Sequence, residues 1–285
     1  MKVAISPCPN DTFIFHAWIH ELIPEAPKID VRYADIHVTN QLAMNGSDFD
    51  IMKISYAALP WALKDYGLLP CGGALGRGCG PLVLTAGDAN ADGTSGPTSL
   101  VGKRVAIPSE HSTAYLLFRL WAEQQFDGNI GEIIIMPFEK IMEAICNGHI
   151  DAGLVIHEAR FTYKAYGLQM YADLGEWWET QTGLPIPLGA IVVRRDLDIS
   201  SIAKWIRSSL DYAWSNPQAS KEYIKRHAQE ISEDVINSHI DLYVNQFSMN
   251  LGAEGYDAIR RLLSLSVKAK LLPEVDYDEL MFLDK

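Results

Sequence analysis

The sequence predicts an α/β protein of two similar lobes, the first of them discontinuous in the chain. Three observations carry that prediction. Strand-like and helix-like stretches alternate over the first 125 residues, as in a largely parallel sheet. The pattern then restarts. VAISPCPNDTFIF (3–15) lies on VAIPSEHSTAYLL (105–117) at a spacing of 102, and NGSDFDIMKISYA (45–57) lies on NGHIDAGLVIHEA (147–159) at the same spacing. Finally, IPLGAIVVR (186–194) reads as a strand crossing between lobes, followed by a mostly helical tail. The expected division is 1–88 with 195–285 for lobe 1 and 89–194 for lobe 2.

Each element has a local reason. Lys2–Ser6 is a short β-like run, and Asn10, Asp11 and Thr12 supply capping side chains before the apolar FIFHAWIHEL. Residues 29–36 alternate as a strand does. Residues 39–45 form a short helix stopped by Gly46. Phe49–Ile54 is a strand, and Ser55 opens the helix YAALPWALK. GGALGRGCGP (72–81) lacks the ending of a phosphate loop and reads as a tight connection between strands at 68–70 and 82–85. AGDANADGTSGPTS (86–99), small and turn-rich, reads as a linker. In the tail, SIAKWIRSSLDYAWSN and SEDVINSHIDLYVNQFS carry apolar residues at helical spacing.

Composition narrows the partners. A net charge of −12 with no basic run argues against nucleic acid and against anionic membrane. No stretch is apolar for long enough to span a bilayer, and MKVAISPCPND does not read as a secretion signal, so a cytoplasmic location is expected. Cys8, Cys71, Cys79 and Cys146 form no C-x-x-C pair and are expected as reduced thiols. The oligomeric state is not legible.

In open parallel sheets, ligands bind beyond the carboxyl ends of the strands. That singles out four loops: Ser6–Thr12, Lys53–Tyr56, Pro108–Ala114 and Ile156–Arg160. With the lobes facing each other, these loops line one cleft. His157 closes an apolar run, Gly153–Ile156, and has two readings: a satisfied core histidine, or a general base aligned with Ser55 of the other half. Glu158 and Arg160 are candidates for orienting it, and surface pairing is open for both. Ser112, Thr113 and Ala114 stand at a helix start, suited either to simple capping or to holding a carboxylate. Lys53 is out of place in a buried strand unless its charge reaches a cleft or a partner. Asn10, Asp11 and Asn40 are possible cleft residues, with capping the alternative for Asn40. His16 and His20 have a zinc-compatible spacing, but no third ligand or H-E-x-x-H motif accompanies them, and no metal is expected. Cys8 reads as packing or cleft lining, and Trp177-Trp178 as packing or a cover for the cleft. There is no G-x-S-x-G elbow.

Taken together, SPCPNDTFIFHAW, DIMKIS, HSTA and GLVIHEARFTY resemble the 1,4-dihydroxy-6-naphthoate synthases of the futalosine route to menaquinone, over nearly the whole chain. SPCPNDTFIF and IHEARFTY are the most specific parts. The resemblance implies a two-lobed periplasmic-binding-protein type II fold used as an enzyme, with a ligand cleft between the lobes. It implies a lyase acting on cyclic dehypoxanthine futalosine, a small carboxylate, with release of a three-carbon fragment. His157 matches the proton acceptor, and Lys53-Ile54-Ser55 and Thr113-Ala114 match the substrate-contacting segments. No cofactor is implied. Two rivals stand beside this reading: a chorismate dehydratase of the same pathway, and a non-catalytic carboxylate-binding protein.

Overall fold

The structure is a computed structural model that describes residues 1–87, 99–228, 232–278 and 280. In chain order its elements begin β1 (Lys2–Ile5), α1 (Pro9–Ile19), β2 (Asp30–Tyr33), α2 (Ile36–Asn45), β3 (Ile51–Ser55), α3 (Leu59–Ala62), β4 (Tyr66–Leu68) and β5 (Ala74–Gly76). Next come β6 (Leu82–Ala86), β7 (Val105–Ile107), α4 (Thr113–Phe126), β8 (Ile133–Ile135), α5 (Phe138–Cys146), β9 (Ala152–Val155), α6 (Ala159–Thr162), β10 (Leu168–Asp173), α7 (Leu174–Thr182) and β11 (Ile186–Arg194). The tail holds α8 (Ile199–Ser215), α9 (Lys221–His227), α10 (Glu233–Tyr243), α11 (Gln246–Met249) and α12 (Gly252–Lys268).

The chain forms two compact units, Met1–Gly76 with Pro187–Lys285, and Arg77–Ile186. Both boundaries differ from the expected ones. β6, expected in the first lobe, pairs with β9 and β10, and β11, expected in the second, pairs with β3 and β4. A strand belongs where its N–H and C=O groups find partners, and those ladders assign both strands. The linker expected at 86–99 falls, over residues 88–98, outside the described residues.

In the first unit the strand order is β2-β1-β3-β11-β4, with β5 also on β11. Thus part of the glycine-rich stretch expected as a connection is itself a strand. β1 is parallel to both neighbours, while β11 runs antiparallel to β3. The core includes Val3, Ile5, Ile51 and Ile191 of the strands, packed with Phe15 and Trp18 of α1 and Ile206 and Leu210 of α8. Burying each such side chain contributes roughly 1.5–3 kcal/mol, which is what secures α1 to the sheet.

The second unit repeats this order as β8-β7-β9-β6-β10, again with an antiparallel fourth strand. Its core joins Leu82, Leu84 and Val155 to Ile141 and Ile145 of α5. Gly153 is required there, since a Cβ would stand 2.3 Å from the Ile141 side chain.

The two halves match at a spacing of 102 at β1 and β7 but not at their third strands. Val3 pairs with Ile51 and Val105 with Ala152, an offset of 101. The partner of Ser55 by ladder position is therefore Ile156, and His157 matches Tyr56. A one-residue slip reverses which face each side chain occupies.

Two helix starts also differ from expectation. α1 begins at Pro9 behind Cys8, with no side-chain cap. Proline suits the first helical position because its missing N–H would have no partner there. Asn10 and Asp11 lie inside the first turn and point to other partners. α2 begins at Ile36, which places Asn40 in its middle rather than at its start.

Candidate active site

In the first unit the site grows from the carboxyl ends of the neighbouring parallel strands β1 and β3. Asp11, fully buried, sits in the first turn of α1, where the helix dipole favours negative charge. Its Oδ2 accepts from Ser6 Oγ (2.6 Å) and from the Ser6 N–H (3.2 Å). Its Oδ1 accepts from Lys53 Nζ (2.6 Å) and from Asn10 Nδ2 (2.8 Å). Four donors fill the acceptor sites of the carboxylate, the condition for burying it without large cost. Asn10 Oδ1 is then left facing His239 of α10, whose Nε2–H donates to it at 3.1 Å.

Lys53 therefore answers the question its position raised. Its side chain is 5% exposed and its ammonium is held by Asp11. Gly189 on β11 makes room for it, because a Cβ there would stand 2.8 Å from Lys53 Cε. Asn40 grips Ser55 at two points: Oδ1 accepts its N–H at 2.7 Å, and Nδ2 donates to its Oγ at 3.0 Å. Asn40 is thus a positioning side chain for the end of β3, not a cap. Ile54, between Lys53 and Ser55, is wholly buried.

In the second unit, β7 and β9 are parallel neighbours, so the loops after them leave the same edge of the sheet. After β7, Ser112 caps α4: its Oγ accepts the Tyr115 N–H at 3.1 Å and donates to the Ser109 carbonyl at 2.8 Å. Thr113 and Ala114 open the helix and are buried. After β9, His157 is half-buried with φ 54°, in the left-handed region. Non-glycine residues adopt that conformation uncommonly, and it costs about 1–3 kcal/mol. The imidazole meets the Phe138 ring edge-on, with centroids 5.4 Å apart. Arg160 is tied to Asp173 and to the Gly80 carbonyl. Glu158 is buried at the start of α6.

Sequence reasoning did not single out Ser6 within its loop, nor Gly80, Asp173 and His239. Ser6 meets Asp11 only five residues on, across a turn no residue type announces, while Gly80 and His239 meet partners 80 and 229 residues away that only tertiary packing brings together. The left-handed backbone of His157 had no signal in its residue type, since histidine does not require it. Among the described residues, no group of three or more His, Cys, Asp or Glu side chains is placed to hold a metal. His20 Nδ1 is engaged with the His16 carbonyl at 2.8 Å. None of the four cysteines is joined in a disulfide. Trp178 is buried, with its indole N–H on the Pro185 carbonyl at 3.0 Å. No helix among the described residues is long and apolar enough to cross a membrane.

Residues 1–268 match the sequence model of a family described as menaquinone biosynthesis. The chain belongs to that family. A 1,4-dihydroxy-6-naphthoate synthase from Streptomyces coelicolor is 54% identical over 285 residues, covering 99% of this chain and 98% of the relative. The enzyme of the same name from Thermus thermophilus is 41% identical over 268 residues, 93% of each chain. Among solved structures, a protein from Archaeoglobus fulgidus superposes with a TM-score of 0.85 at 31% identity, over 95% of this chain and 98% of that one. The periplasmic aliphatic sulphonate binding protein of Escherichia coli superposes with a TM-score of 0.70 at 14% identity, over 99% and 92%. The fold is thus that of the periplasmic binding proteins, and the family's named members are enzymes of menaquinone biosynthesis. Neither the dehydratase nor the non-catalytic alternative is favoured by these relatives.

Proposed function

We propose that the protein is a carbon–carbon lyase that converts cyclic dehypoxanthine futalosine to 1,4-dihydroxy-6-naphthoate. The observation that carries this reading is the 54% identity, over nearly the full length of both chains, to a synthase of that name. The second unit supports it with suitable chemistry on one sheet edge. His157 is the general base, which removes a carbon-bound proton, and aromatisation of the naphthalene ring drives the fragmentation. A neutral imidazole is suited to that transfer near pH 7. The start of α4, at Thr113 and Ala114, takes the substrate carboxylate through backbone N–H groups and the positive end of the helix dipole. In the first unit, the segment Lys53-Ile54-Ser55 lies against substrate, with the wholly buried Ile54 packing behind it. Lys53 does so as one half of a buried ion pair, so its part is to orient rather than to supply an unbalanced positive charge.

Incubation of the purified protein with cyclic dehypoxanthine futalosine tests the reaction. The expected result is dihydroxynaphthoate in multiple turnovers. Recovery of unchanged substrate from folded protein would overturn the proposal.

A further inference from the structure

Three residues after His157, one side chain ties this part of the chain to two others. Arg160 donates from Nη1 to the Gly80 carbonyl at 2.7 Å and from Nη2 to Asp173 Oδ2 at 2.6 Å. The ion pair is largely buried, with the two side chains 17% and 10% exposed. The other carboxylate oxygen, Asp173 Oδ1, accepts the N–H groups of Gly175 at 2.8 Å and Glu176 at 3.2 Å and so caps α7. Arg160, on α6, therefore joins three segments: α6 just after β9, the short lead-in to β6, and the junction of β10 with α7.

The far side of this clamp is closely packed. Gly80 and Gly175 touch backbone to backbone, so close that a Cβ on Gly80 would stand 2.1 Å from the Gly175 nitrogen. Burial pushes the thiol of the adjacent Cys79 up to about 12, although Arg160 acts in the opposite sense. That cysteine is inert packing at the anchor.

The near side is His157. Its carbonyl accepts the Arg160 N–H at 3.3 Å, and its own φ of 54° is a conformation that persists only where the surroundings over-determine it. β9 fixes the chain before the histidine, and the Arg160 fork fixes the chain after it.

We propose that Arg160, through Asp173 and the Gly80 carbonyl, is a positioning residue that holds His157 in its reactive orientation. The proposal rests on the reading of His157 as the base. A lysine cannot replace the fork, because a point charge does not reach two acceptors in fixed planar geometry.

The test uses full-length Arg160→Met, Arg160→Lys and His157→Asn proteins. It reads kcat and KM on cyclic dehypoxanthine futalosine, together with the imidazole resonances of histidine-labelled protein. The His157 resonance is assigned by its loss in His157→Asn. In Arg160→Met, kcat falls at least about tenfold with KM within about twofold, because misplacement by an ångström is enough for such losses. The His157 resonance shifts or splits in the same protein. Arg160→Lys shows both effects to a smaller degree and carries the test if Arg160→Met fails to fold. An unmoved His157 resonance in the folded Arg160 variants overturns the clamp, whatever their kcat. Wild-type kcat in His157→Asn overturns the base reading instead, and the resonance still reports on the clamp separately.

Discussion

Two residues of the proposed site, His157 and Lys53, have surroundings that differ in kind. His157 is half-buried at a strand end, in a left-handed backbone conformation. Asparagine tolerates that conformation well, so His157→Asn removes the imidazole while keeping the turn. Lys53 and Asp11 are the opposite case, a buried pair whose worth lies in each being present. Lys53→Met leaves the Asp11 carboxylate buried without its countercharge, and the expected destabilisation is about 3–5 kcal/mol. Replacing both, as Lys53→Met with Asp11→Leu, is expected to cost less than the sum of the single changes. Thermal unfolding of the three variants measures this, and an unchanged Tm in Lys53→Met would contradict the pair. The sequence made His157 and Lys53 legible because each breaks the apolar pattern of a buried strand. It did not reveal what holds them, because Asp11 is 42 residues from Lys53 in the chain and Asp173 is 13 from Arg160.

The helices and strands carry their own tests. On α1, His16 is buried, with its Nδ1 lacking a hydrogen-bond partner. Its ring lies 4.4 Å from that of His20 and 5.4 Å from that of Tyr223 on α9. Burial, helped by His20, lowers its pKa from 6.5 to about 4. The unfolded chain therefore binds the extra proton between these values, and stability present above pH 6.5 is lost as pH falls towards 4. His227, also lowered mainly by burial, adds in the same direction. The expected loss from His16 is on the order of 2 kcal/mol. Tm measured from pH 7 to pH 4.5 should fall for the wild type and fall less for His16→Gln; parallel curves would contradict this. At the meeting of the β6 lead-in with α7, Gly80→Ala drives a Cβ against the Gly175 backbone and should lower Tm markedly. A Tm equal to wild type would show that this backbone contact is dispensable. β2 was legible from alternation, β1, β3 and β9 from short apolar runs, and the tail from its 3.6-residue period. Helix starts were less so, since α1 begins on a proline at Pro9 and needs no side-chain cap. Strand membership was not legible at all for β6 and β11, because pairing is a long-range property.

At the scale of the whole molecule, the two units share one strand order although few residues are identical between the halves. The repeat was visible in VAI at 3–5 and 105–107, which became β1 and β7. Its register was not, because the connection between the first and third strands is one residue shorter in the second unit. That shift turns the apparent match of Ser55 with His157 into a match with Tyr56, so His157 has no histidine counterpart in the first unit. The two sites are therefore chemically distinct despite a common topology: a neutralised ion pair in one, an imidazole in the other. The most direct measurement is turnover of cyclic dehypoxanthine futalosine by wild type and by His157→Asn, with folding of both verified by thermal unfolding. The account predicts dihydroxynaphthoate from the wild type and a kcat about 10²–10⁴-fold lower in the folded variant. Equal rates from both proteins would contradict the central role of His157.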